Sequence, residues 1–344
     1  EEYASNGTYY FKKGIYIKKY FKQLMEKKNS VNNEFYVSLV YNLLVKDKLK
    51  TIIYQIENML QWGTPLDLEE YNKWSNYFKG KQKDLGKSNN FINYVNLMLM
   101  AGKGSRFIKE GYKTPKPFIK IKKKSMFIRA MQSLPIAKEN FFICKNDHIK
   151  KYNIKKEIKK YYTNYNILSL DKATQGQAST CEIALDKINR SYSAVIGACD
   201  SSIVYNSEKY NKLINNKKNQ IIVFTFKNSL NVLKKPNDYS YLQINKQGNV
   251  LDVSEKKKIS SRPHLDNAII GIFYFKKIQY FFDGLELIYK KNYTINKEFY
   301  IDSIIKFLAK KKYTIKAFEV DSYIGWGTPN DLKVYQYWNK FFKN

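Results

Sequence analysis

The sequence predicts an α/β chain, a Rossmann-like, mainly parallel sheet with helices on both faces, preceded by a duplicated carboxyl-terminal half-unit. Three observations carry this expectation. Strand-like and helix-like stretches alternate between about residues 94 and 226. An apolar run, Val95-Asn96-Leu97-Met98-Leu99-Met100, delivers the chain into a turn with two glycines, Gly102 and Gly104. Four phrases near the amino terminus recur near the carboxyl terminus at a single offset of 264 residues.

The repeat comes first in the chain. Gly7-Thr8-Tyr9-Tyr10-Phe11-Lys12-Lys13 echoes Gly271-Ile272-Phe273-Tyr274-Phe275-Lys276-Lys277, and Asn32-Asn33-Glu34-Phe35-Tyr36 echoes Asn296-Lys297-Glu298-Phe299-Tyr300. Trp62-Gly63-Thr64-Pro65 echoes Trp326-Gly327-Thr328-Pro329, and Trp74 echoes Trp338. Residues 1–78 therefore read as the carboxyl-terminal half of an upstream repeat, without a glycine loop and so without catalysis of their own. A removed upstream half explains this better than a natural half-domain, which leaves an apolar face uncovered. The polar stretch 79–90, rich in Gly, Lys and Asn, reads as a linker. The complete unit then spans 91–344.

Within that unit, Asn140–Cys144 reads as a strand, 148–160 as a charged helix, Ile167–Leu170 as a strand and 177–189 as a helix. Tyr192–Cys199 is a continuous apolar run ending at Asp200, the pattern of a buried parallel strand. A helix at 207–217 and the strand Ile221–Phe226 follow. Tyr241–Asn245 and Val250–Val253 flank the turn residues Lys246-Gln247-Gly248-Asn249 and suggest a hairpin. The strand Ala268–Phe275, helices at 277–291 and 298–311, a strand at 314–320 and a closing helix complete the unit. Pro329 falls near the first helical position, where its missing N–H costs nothing. In such sheets ligands bind beyond the carboxyl ends of the strands, where the glycine turn and Asp200 both fall.

The net charge of +31 over 344 residues invites a nucleic-acid or membrane reading. Lysine, however, far outnumbers arginine and is scattered through every segment alongside abundant Asn, Ile and Tyr, which describes solvated faces rather than a binding stripe. No nucleic-acid partner is expected. No run approaches a membrane span, and the start has no signal-peptide pattern. Cys144, Cys181 and Cys199 stand singly in apolar stretches, the pattern of buried thiols in a reduced, cytoplasmic protein. With only His148 and His264, histidine metal sites and a Ser-His-Asp triad are not expected. The chain begins without Met and reads as a fragment.

Glycines without side chains let backbone N–H groups approach phosphate oxygens, and Arg106 and Lys116 add two positive charges beside the same anion. No Gly-Lys-Ser/Thr follows, so this is not a Walker loop. Phe107 stands where the dinucleotide fingerprint has its third glycine. The whole phrase, Ala101-Gly102-Lys103-Gly104-Ser105-Arg106-Phe107 with Lys113-Thr114-Pro115-Lys116-Pro117, resembles the signature of the sugar-phosphate nucleotidyltransferases, and the Lys113–Pro117 and Trp326–Pro329 phrases resemble the branch serving capsule and cell-surface polysaccharide precursors. The resemblance implies an enzyme of EC class 2.7.7. It further implies that Ala101, Gly102, Gly104 and Ser105 hold the triphosphate of an NTP while Arg106 and Lys116 neutralise it.

The same resemblance assigns Asp200 to Mg²⁺, although Ser201 and Ser202 also allow a helix cap there. It assigns Gln175, Gly176 and Gln177 to the nucleobase and ribose, against the alternative of an ordinary polar loop. Glu255 and Lys256 resemble a pair that meets the acceptor phosphate, with Lys257 and Lys258 in place of the family's proline, so a solvated lysine run is the other reading. Glu298 matches a sugar-contacting acid, and an acid at a helix start explains it equally. Many relatives carry a second metal-binding Asp where this chain has Gly325; either Asp302, Asp321 or Asp266 substitutes, or the metal takes more water instead. The expected reaction joins CTP, UTP or dTTP to a phosphorylated small molecule, a sugar phosphate or a phosphocholine-like acceptor, in line and without a protein nucleophile. A degenerate binding or scaffold protein is the rival class, and homo-oligomers or contact with an upstream repeat are the expected assemblies.

Overall fold

The computed structural model describes residues 3–80 and 93–342. The expected linker lies outside the described residues from Lys81 onward, as do Phe91 and Asn344, the expected ends of the complete unit. The chain divides into two units, Glu1–Gln61 and Trp62–Asn344.

In the first unit, α1 (Gly14–Glu26) and α2 (Val37–Lys46) each present one i,i+4 apolar pair, Tyr20 with Leu24 and Val40 with Leu44, and these four form its buried core. Tyr20 donates its hydroxyl to Asp47 Oδ2 at 2.7 Å. Between the helices Val31 pairs with Glu34 across Asn32 and Asn33, both at positive φ, which asparagine tolerates better than most residues. Residues 49–61 hold neither helix nor strand.

The second unit opens with α3 (Pro65–Phe78), started by a capping box in which Thr64 and Asp67 satisfy each other's backbone N–H. Then come β1 (Tyr94–Leu99), α4 (Ser105–Lys109), the short hairpin β2 (Lys120–Ile121) and β3 (Lys124–Ser125), α5 (Met126–Gln132) and β4 (Glu139–Lys145). Next are α6 (Asn146–Tyr152), α7 (Ile154–Lys159), β5 (Tyr165–Leu170), α8 (Gln177–Leu185), β6 (Ser193–Ala198), β7 (Ser201–Val204) and α9 (Ser207–Asn215). β8 (Ile221–Phe226), α10 (Leu230–Lys234), β9 (Tyr241–Ile244), β10 (Val250–Ser254) and β11 (Asn267–Phe275) follow. The unit closes with α11 (Ile278–Lys290), α12 (Ile301–Lys310), β12 (Ile315–Glu319), β13 (Ser322–Gly325) and α13 (Pro329–Phe341).

Among the described residues nine strands form the main sheet. β1 pairs in parallel with β4 on one side and β6 on the other, β4 continues to β5, and β8 pairs in parallel with β12. β11 runs antiparallel between β6 and β8, and β9 and β10 hang from its first residues. Successive residues of each central strand enter opposite cores. Met98, Phe142, Val195 and Ile222 face the layer of α5, α7 and α9, whereas Leu97, Ile143, Ile196 and Val223 face that of α8, α11 and α12. Strand order reverses between β1 and β6, so their carboxyl ends, with Leu99 beside Ala198, open a crevice.

Several expectations need correction. The helix expected at 148–160 breaks at Asn153, whose φ of 48° places it in the left-handed region; the break turns Ile154 and Ile158 inward. Ser201 and Ser202 do not cap a helix, because β7 pairs with β13, a strand the reading did not anticipate. Glu298 precedes α12 and pairs with Ile295 in a turn, so it is not a helix-start acid. The expected domain end at residue 78 puts α3 with the first unit, whereas its aromatic face joins the core of the second.

The two ends share more than phrases. α11 has the 13 residues of α1 and α12 the 10 residues of α2, each at the offset of 264. The Ile295–Glu298 bridge repeats Val31–Glu34, and the Thr328–Asp331 capping box repeats Thr64–Asp67. Strands β12 and β13 have no counterpart within 51–61. In the second unit these strands pair with β8 and β7.

Candidate active site

At the end of β1 the chain turns through Gly102 and Gly104 into α4. Gly104 takes φ 65°, and a Cβ there would stand 3.3 Å from that of Lys116. The absent side chain lets Lys116, which opens a 3-10 turn at Lys116–Phe118, lie against the loop. From there its ammonium donates to Asp200 Oδ2, at the end of β6. Asp200 is fixed from behind, since its carbonyl accepts from the Trp326 N–H at 2.7 Å.

Burial pushes the Asp200 carboxyl up, yet the Lys116 charge and hydrogen bond, with Arg106 beyond, outweigh it and hold the carboxyl below its usual range. Burial likewise pulls the Lys116 ammonium down, and Asp200 more than restores it, leaving it above its usual value. The pair is charged at neutral pH, with side chains only 18% and 26% exposed.

In front of this pair lies a cleft of about 580 Å³. Arg106, Lys234, Lys235 and Lys256 bring positive charge to it, Asp238, Asp302 and Asp331 negative charge, and Tyr239, Tyr300 and Tyr323 aromatic surface. Of the residues expected in the site, Arg106, Gln177, Asp200 and Lys256 line this cleft and Lys116 contacts it through Asp200. Ala101, Gly102, Gly104 and Ser105 are not among its lining residues; they form the turn that leads to Arg106. Lys256 takes φ 53° and donates to the Asp238 carbonyl at 2.8 Å.

Other expected residues are engaged elsewhere. Glu255 is 4% exposed, ion-paired with Lys306 and hydrogen-bonded by Tyr293 and Ser303, so it points into the packing of α12 rather than the cleft. Gly176, at φ 114°, has Phe299 backbone atoms 2.6 and 2.7 Å from where a Cβ would sit. Gln175 and Ala178 exchange backbone hydrogen bonds with Phe299 there. Close packing therefore explains that glycine. Glu298 sits on the same seam and bonds the Tyr300 hydroxyl.

Gly325 lies on β13 opposite Ser201, and the Tyr323 hydroxyl stands 2.8 Å from its missing Cβ. A carboxylate at 325 would collide with that ring. Of the substitutes, only Asp302 lines the cleft; Asp266 accepts from Ser260 at 2.7 Å, outside it. Burial raises the Asp302 carboxyl, against weaker lowering by Ser240 and Lys256. Among the described residues no three His, Cys, Asp or Glu side chains gather for a metal. A hard divalent cation bound with substrate phosphates needs fewer protein ligands than that. Gly327 offers such a cradle: a Cβ there would lie 3.4 Å from Asp200 Oδ2 and 3.8 Å from Asp331 Oδ2, an all-oxygen donor pair.

Sequence reading missed Asp331, Lys234 and Lys235. Asp331 is legible in Thr-Pro-Asn-Asp only as a helix cap, and it also accepts from Asn231 at 3.0 Å. The two lysines vanish into a lysine-rich background.

A crossover crevice with Arg106 on its wall and a lysine–aspartate pair beneath presents charge suited to an anionic ligand in an α/β protein. The family model described as nucleotidyl transferase matches residues 95–339, and the chain belongs to that family, enzymes of EC class 2.7.7 that generally use a divalent metal. The fold is similar to that of a nucleoside-diphosphate-sugar pyrophosphorylase from Vibrio cholerae RC9, 19% identical, with a TM-score of 0.57 over 70% of this chain and 98% of that one. It is also similar to the inositol-1-phosphate CTP transferase from T. maritima, 12% identical, TM-score 0.56, over 75% and 98%. HddC from Yersinia pseudotuberculosis is 19% identical, TM-score 0.51, over 73% and 100%. No curated protein sequence matches the chain. Among the described residues no helix is long and apolar enough to cross a membrane.

Proposed function

We propose that this chain transfers the nucleotidyl group of CTP, UTP or dTTP to a phosphorylated small molecule, releasing pyrophosphate and giving an activated precursor for surface polysaccharide in the cytoplasm. The observation that carries the reading is the buried Lys116–Asp200 pair, with Arg106 beside it, at the crevice between β1 and β6.

In this reaction an acceptor phosphate oxygen attacks the α-phosphorus in line. The bond to the bridging oxygen breaks, and its electron pair leaves with pyrophosphate. The acceptor phosphate is already anionic at neutral pH, so no protein base is required. Catalysis consists of alignment and charge neutralisation. Arg106 holds the departing pyrophosphate, Lys116 turns from Asp200 onto the α/β region, and Lys256 holds the acceptor phosphate. Ala101, Gly102, Gly104 and Ser105 cradle the triphosphate, Gln175 and Gln177 meet the nucleoside, and Glu298 borders the acceptor end through Tyr300, while Gly176 and Glu255 support these positions from the packing behind them. A divalent metal, Mg²⁺ in this reading, supplies Lewis-acid neutralisation of the triphosphate when bound, with Asp200 as its ligand and Asp331 nearest to share it.

The acceptor end also supports a second reading. Tyr239, Tyr300 and Tyr323 with Asp302 and Asp331 offer the aromatic and anionic surface that suits a quaternary ammonium, which favours CTP and a phosphocholine-like acceptor. Residues 1–78 fit the carboxyl-terminal half of an upstream unit of the same kind, given the common offset of their helices. Pyrophosphate release across a panel of NTPs, sugar phosphates and phosphocholine tests both readings. Release with one NTP and one acceptor class supports transfer and names the substrates, whereas silence across the panel with folded protein and divalent metal overturns it.

A further inference from the structure

Helix α3 carries Tyr71, Trp74 and Phe78 on one stripe, at i, i+3 and i+7, and 264 residues on Tyr335, Trp338 and Phe342 stand at the same positions of α13 and its carboxyl cap. The two stripes face each other. Tyr71 meets Trp338 at 5.9 Å and 65°, and Trp74 meets Tyr335 at 6.0 Å and 65°. Tyr71 meets Phe342 at 5.7 Å and 46°, and Phe78 meets Tyr335 at 5.6 Å and 47°. The like pairs also touch, Trp74 with Trp338 at 6.5 Å and Phe78 with Phe342 at 5.9 Å.

Residue i on one helix meets j on the other, and j meets i at a distance within 0.1 Å and an angle within 1°. That reciprocity is the rule of an isologous, two-fold contact, and two unrelated helices have no cause to obey it. The likeness stops at the shared stripe. Leu332 and Trp326 are buried against Phe107, Ile121 and Met126, whereas their counterparts Leu68 and Trp62 are 47% and 56% exposed.

We propose that α3 occupies on α13 the place of the α13 of a second copy of the nucleotidyltransferase unit. The aromatic stripe is a two-fold dimer surface, filled within one chain by the repeated helix. A full chain whose α3 is released should therefore pair with a second copy through α13.

The test uses the full chain with Tyr71→Ser, Trp74→Ser and Phe78→Ser, its mass measured by light scattering or sedimentation beside the parent. A twofold mass over the parent, abolished by adding Trp338→Glu, is the expected result. The parent's mass at every concentration, with native circular dichroism, overturns the proposal. Should the triple variant fail to fold, Trp74→Glu alone serves. Concentration-dependent pairing that Trp338→Glu removes supports the proposal, and a monomer throughout overturns it. The readout is mass, so it is independent of whether the transferase reading survives.

Discussion

The ammonium of Lys116 donates to the carboxylate of Asp200 across 84 residues of chain, joining the 3-10 turn after α4 to the end of β6. In the proposed reaction the lysine leaves this contact for the triphosphate. Lys116→Ala should lower kcat/KM by about 10²- to 10³-fold, mainly through kcat, as loss of one donor to a developing charge does elsewhere. Steady-state kinetics with NTP varied check this. An equal loss confined to KM would place the lysine in ground-state binding alone.

Charge at this pair also sets a pH dependence of stability. Asp200 is held below its usual range, so its contribution is present above the unfolded value near pH ~4 and disappears as pH falls through the lower folded value. Lys116 is held above its usual value, so its contribution is present below about pH 10 and fades as pH rises through the raised folded value. Asp302 has the opposite sign to Asp200: burial raises its carboxyl, and its ionisation opposes folding as pH rises through the folded value. Asp302→Asn should raise Tm at neutral pH, and the gain should vanish as pH falls toward 4. Thermal melts across that range measure it.

The glycines separate by what surrounds them. Gly176→Ala meets the Phe299 backbone at a positive φ and should cost more than about 2 kcal/mol of stability. Gly102 has no atom of the described residues within 4 Å of a Cβ and no positive φ. Gly102→Ala should stay within about 0.5 kcal/mol of the parent while raising KM for the NTP. Denaturant unfolding with parallel kinetics distinguishes the two.

Removing Glu255 breaks a buried network and leaves Lys306 with no carboxylate. Glu255→Ala should lose about 3 kcal/mol of stability while kcat falls far less than in Lys116→Ala. A large, selective rise in acceptor KM with stability intact would instead place this acid in the acceptor site.

Local chemistry made the sheet legible. The apolar runs of β1, β6 and β8, the turn chemistry between β9 and β10, and Pro329 behind its capping threonine all specify their own conformation. What escaped depends on distant partners. β7 and β13 are strands only because they pair with each other, and Asn153 breaks a helix so that Ile154 and Ile158 can reach the core. In the site, Arg106, Lys116 and Asp200 were readable from motif and strand end. Asp331 was not, because its nearness to Asp200 arises only where the Trp326–Gly327 turn folds back on β6. Glu255 next to Lys256 illustrates the converse. Adjacent positions at the end of β10 send one side chain into the core and the other to the cleft.

The most direct measurement follows an NTP labelled in its α-phosphate, incubated with divalent metal and the acceptor panel, for the parent, Lys116→Ala and Asp200→Ala. The account predicts that the parent moves the label onto an acceptor with stoichiometric pyrophosphate, and that both variants, folded, transfer it at least ~10²-fold more slowly. Label that never leaves the nucleotide in the parent, or transfer undiminished in both variants, would contradict it.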